Sequence, residues 1–65
     1  MKKIFNVLMI LLILILHYRN GWIQKIHDVD SYMITNKTII IHIKSIVLPI
    51  RINRDEILYW EERHE

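Results

Sequence analysis

Two alternating runs mark the middle of the chain. In residues 38–44, Ile39, Ile41 and Ile43 share one side, and Thr38, Ile40, His42 and Lys44 share the other. In residues 46–52, Ile46, Leu48, Ile50 and Ile52 alternate with Val47, Pro49 and Arg51. Successive side chains of a strand point to opposite faces, so these period-two runs of β-branched residues predict strands with one buried face. Lys44-Ser45 forms a tight connection between them. Asn36-Lys37 closes a hairpin from a shorter strand over residues 31–35. Pro49 has no N–H to give to a ladder, which puts its strand at a sheet edge or turns its nitrogen outward.

The opening of the chain has a different pattern. Residues 4–16 are apolar except for Asn6, and Leu8, Leu11, Leu12, Leu14 and Leu16 show no strict alternation. The run is longer than the usual four to eight residues of a buried strand, which predicts a helix, apolar all round and enclosed by lipid or protein. Thirteen helical residues cover only ~20 Å of a hydrocarbon core of ~30 Å. The flanks extend that reach. Lys2 and Lys3 can snorkel to one interface, while Tyr18, Arg19 and Trp22 suit the other. Lys2 and Lys3 also resemble the n-region of a signal peptide, but bulky His17-Tyr18-Arg19-Asn20 offers no small-residue cleavage site. The sequence therefore predicts an uncleaved, single-pass membrane anchor. Lysine and arginine near its two ends balance, with a slight tilt towards an N-inside orientation.

Asn20-Gly21, with the chain's one glycine, marks a break. Residues 22–29 suit either a helical turn or a strand, and residues 28–31 a turn or cap. Near the end, Asn53 is placed to cap a helix, with Asp55 in its first turn and Glu56 three residues on. Ile57, Leu58 and Trp60 give an apolar stripe, predicting a helix over residues 54–64. The expected fold is a small α+β arrangement: an N-terminal hydrophobic helix, a short antiparallel β-meander of three strands, and a C-terminal helix. Residues 1–19 form the anchor and residues 20–65 the β-rich domain.

Composition narrows the function classes. A chain of 65 residues holds one small core, and without cysteine neither a disulfide nor a thiolate metal site can staple it. Membrane, partner chain or self-association must supply the support. Nine basic against seven acidic residues give a net charge of +2, too balanced for the basic stripe of a nucleic-acid binder. Nucleic acid enters only within a ribonucleoprotein assembly. Heavy use of isoleucine, lysine and asparagine hints at an AT-rich genome.

Catalytic chemistry is not encoded in any motif. His17, His27, His42 and His64 form no H-x-x-x-H pair, and His27, Asp28 and Asp30 read as a polar loop rather than metal ligands. Glu56, Glu61 and Glu62 sit in a solvated terminus, without the contrasting environments that acid–base work demands. No catalytic, metal or cofactor residues are assigned, and the chain is read as non-enzymatic. The expectation is a membrane-anchored accessory or regulatory protein docking on a larger partner, in an organellar inner membrane or a bacterial plasma membrane. Ile50, Arg51, Tyr59 and Trp60 are its candidate partner contacts. Two alternatives stand beside it: a subunit buried in a respiratory or ribosomal assembly, and a soluble phage-type inhibitor or adaptor that forms a homo-oligomer.

Overall fold

The computed structural model describes residues 11–64. Five strands form one antiparallel sheet: β1 (Leu12–Tyr18), β2 (Ile23–Ile34), β3 (Thr38–Ile43), β4 (Ile50–Asn53) and β5 (Ile57–His64). Their order across the sheet is β4-β3-β2-β1-β5. A 3₁₀ turn, Arg54–Glu56, is the entire link between the two edge strands.

That short link shapes the sheet. Four flat inter-strand steps would set β4 and β5 about 19 Å apart. The chain from Asn53 to Ile57 reaches at most ~14 Å even when extended. The sheet therefore curls until its edges approach. Three register irregularities help it bend, between Leu12 and Leu14 opposite β2, between Val29 and Ser31, and between His17 and Tyr18 opposite β5. A bulge raises local twist and bends its strand. Asp28 takes up the first of these with φ of 60°, a left-handed backbone uncommon outside glycine.

Curling gives the sheet a concave inside. Leu14, Leu16, Ile26, Val29, Ile39, Ile41 and Ile57 are buried there as one cluster. Leu12, Tyr18, Tyr32, Ile34, Ile43, Ile50, Ile52 and Trp60 pack around them. Hydrogen bonds clamp the linking turn across the end of the barrel. The Arg54 N–H donates to the Lys37 carbonyl (2.9 Å) and its guanidinium to the Thr35 carbonyl (3.1 Å). On the other side, the Arg19 N–H donates to the Glu56 carbonyl (2.9 Å), and Arg19 Nε to the Asp55 carbonyl (2.7 Å). The Arg54 guanidinium also lies 5.2 Å from the centre of the Trp60 ring, a cation–π contact from the turn to β5. Tyr32 of β2 donates its hydroxyl to Glu62 of β5 in an exposed contact that passes over the intervening β1. Burial first, and then the Glu62 carboxylate, push the Tyr32 phenol up to about 12.

The fold corrects the expected α+β arrangement. Leu12–Tyr18 is a strand flanked by β2 and β5, and no helix among the described residues is long and apolar enough to cross a membrane. This overturns the single-pass anchor helix and the membrane localisation built on it. Residues 4–10 of the predicted helix, with Lys2 and Lys3, lie outside the described residues. The absence of alternation in β1 has a physical cause. Leu14, Ile15 and Leu16 are all buried, so both faces of this strand demand apolar residues.

The expected C-terminal helix fails differently. Asn53 does cap, accepting the Asp55 N–H at 3.0 Å, but the helical turn lasts only three residues. From Ile57 the chain pairs with β1, where β-branched and aromatic side chains gain more from the ladder than from a solvated helix. The turn at Asn36-Lys37 lies where the pattern puts it, and β4, just after Pro49, is an edge strand.

Two measurements probe this core. Ile41→Ala removes a fully buried side chain between β2 and β4 and is expected to cost about 2–5 kcal/mol in urea unfolding, a large share of a small domain's stability. Tyr32 gives a pH signature. The folded chain holds its proton up to about 12, whereas an unperturbed tyrosine titrates near 10.0. Its contribution is thus complete below pH 10 and lost as pH rises through 12. Melting temperature should fall over that window, and Tyr32→Phe should flatten the fall.

Candidate interaction site

The convex side of the sheet and the loop ends carry the exposed apolar groups. The largest concentration along the chain is the β3–β4 connection. Ile43 accepts the Ile46 N–H at 3.1 Å, closing a four-residue turn in which Ser45 takes φ of 70°. That positive φ at the third position is the type II pattern that ordinarily calls for glycine. The Lys44 N–H donates to the Asp28 carbonyl at 2.9 Å, pinning the base of the loop to the β2 bulge. Pro49 then fixes the backbone into β4. Between these anchors Ile46, Val47 and Leu48 are 55, 93 and 75% exposed. A pinned loop presents three consecutive apolar side chains to solvent.

A second surface lies on the convex face where β2, β1 and β5 run side by side. Cross-strand register places Ile23, His17 and Tyr59 in one row, and Lys25, Ile15 and Glu61 in the next. The His17 and Tyr59 rings stack at 4.1 Å with an interplanar angle of 11°. His17 Nε2 lies 2.6 Å from Glu61 Oε2, while the other Glu61 oxygen, Oε1, is 3.7 Å from an Arg63 guanidinium nitrogen. Stacking and the His17–Glu61 hydrogen bond fix Tyr59 and Glu61 relative to β1. Ile23 and Tyr59 remain 60 and 49% exposed. Trp22, in the β1–β2 turn, sets its indole edge-on at 6.1 Å to Tyr18, which packs on the core.

The residues proposed from the sequence separate in this geometry. Tyr59 and Arg51 lie on the convex face and are exposed, whereas Ile50 and Trp60 turn inward and pack on the core. Arg51 borders a shallow hollow with Lys37, Thr38, Asn53 and Asp55. Of the flank assigned to a membrane interface, Tyr18 donates its hydroxyl to Gln24 Oε1 at 2.6 Å, and Arg19 holds the linking turn. Burial, then the nearby Glu56 carboxylate, raises the Tyr18 phenol. Among the described residues no three histidine, cysteine, aspartate or glutamate side chains gather where they could hold a metal.

The pattern of residues 46–52 had hidden the loop. Its alternation continues across the tip, so Ile46 and Leu48 read as a buried strand face. The signal for a tip was local: Ser45 in a turn before the run and Pro49 within it. The Ile23–His17–Tyr59 row had no sequence signal, because it joins three strands whose register only the fold sets. Comparison with protein-family models, with characterised proteins and with solved structures gives no match to this chain.

Proposed function

We propose that the chain is a non-enzymatic adaptor that docks on a larger protein through its Ile46–Val47–Leu48 tip. The observation that carries this reading is the exposure of those three consecutive side chains on a loop pinned at both ends. Connecting loops are normally polar, and an exposed run of apolar residues costs solubility unless something covers it. The pinning matters to affinity. A loop already held in one shape by the Lys44–Asp28 bond, the Ser45 turn and Pro49 gives up little conformational freedom on binding. Lys44 and Arg51 flank the tip in sequence, so an apolar groove with an acidic rim is the matching receptor.

The experiment replaces Val47 with a photo-crosslinking amino acid in the full chain, expressed in its native cells. A discrete protein adduct is expected, and V47D/L48D should reduce recovery of the same partner about tenfold or more. Because both side chains are exposed, the double variant should keep its melting temperature to within a few degrees. Equal recovery of the partner by the variant overturns the proposal. So does a tip whose adducts are lipid alone, with vesicle binding abolished by V47D/L48D.

A further inference from the structure

We infer that the convex face of β2, β1 and β5 is a self-complementary dimerisation surface whose occupant is a second copy of this chain. The evidence is the mirror arrangement of groups about β1. On one side stand Ile23 and Lys25 of β2; on the other stand Tyr59 and Glu61 of β5, in the same two rows. A two-fold axis parallel to β1 brings the β2 side of one copy over the β5 side of the other. Ile23 then meets the partner copy's Tyr59, and Lys25 meets the partner copy's Glu61. Each contact occurs twice, as an isologous interface requires.

The chemistry agrees with this pairing. The β2 and β5 columns flank β1 one strand away on either side, at most about 10 Å apart. Aligned sheets cross at roughly 30°, a small enough angle to keep two adjacent rows in register. Ile15, at the centre, is already buried, so the flanking columns carry the contact. Glu61 is prepared for it. His17 holds Oε2 at 2.6 Å, while Oε1 faces Arg63 at 3.7 Å, too far for a hydrogen bond, on a side chain that is still 38% exposed. Tyr59 is likewise held by its stack on His17, leaving its other ring face for Ile23.

The inference is independent of the docking tip. The Ile23–His17–Tyr59 row lies at the end of β1, and the tip is tied through Lys44 to Asp28, beside the start of β1. Both surfaces can be used at once, and one can fail without the other.

Sedimentation equilibrium of the full chain over a range of concentrations gives the test. The expected result is a two-copy species. K25E and E61K should each weaken self-association about tenfold, because each places like charges in contact twice. K25E/E61K should recover most of the loss, since the reversed pair is again complementary. E61K also breaks the His17 contact, so E61Q serves as the companion variant. It keeps a hydrogen-bonding group for His17 but removes the charge, and should weaken association less than E61K. Circular dichroism confirms that each variant is folded. A chain that stays monomeric at all concentrations overturns the inference. Dimers unaffected by either single reversal, or a double variant as weak as the singles, overturn it as well.

Discussion

The structure hangs on a covalent constraint: three residues, Arg54–Glu56, join strands on opposite edges of a five-stranded sheet. A flat sheet cannot satisfy that link, so the sheet must curl. Curling divides its side chains into an enclosed concave set and an exposed convex set. Neither the buried isoleucines nor the two outward surfaces would exist as such without that division. Arg54 and Arg19 secure the link from either side through backbone carbonyls, one to the β2–β3 turn and the other from the end of β1. Such closure suits a chain this short. It lets one sheet cover both sides of its own core, where an open sheet of the same length would need a second layer.

Curling also produces irregularity, and the irregularities lie beside the candidate surfaces. Asp28 in its left-handed bulge gives the carbonyl that pins the β3–β4 loop. The register shift at the start of β5 leaves Leu58 as the extra residue and turns Tyr59 onto the convex face, against His17. Bulges re-aim side chains, and here they do so for the loop that presents Val47 and for the row that presents Tyr59. The solvent-exposed margin of the concave side carries a polar contact. There Tyr32 of β2 donates its hydroxyl to Glu62 of β5, tying two strands that are not neighbours in the sheet.

The sequence pattern was most informative where one face of a strand is buried and the other is wet. Ile39, Ile41 and Ile43 alternate with Thr38, Ile40 and His42, and that segment is a strand of six residues. It misled where that condition fails. β1 is apolar on both faces, so its pattern cannot be told from that of a helix, and a length argument then favoured the helix. The chain after Asn53 has a cap followed by charged residues, a local helix signal. The free β1 edge outweighed it by offering a full ladder to Ile57–His64. Local preference yields to tertiary pairing where the difference per residue is small.

What the sequence determined by itself was the presence of strands in the middle of the chain, the turn at Asn36-Lys37 and the cap at Asn53. These depend on neighbours a few residues away. The tertiary structure decided that Leu12–Tyr18 and Ile57–His64 are strands, that Trp60 is inside and Tyr59 outside, and that Ile23, His17 and Tyr59 share a row. The reason is register. A shift of one residue exchanges the two faces of a strand, and register is fixed only when strands distant in sequence pair and the three-residue link closes the sheet.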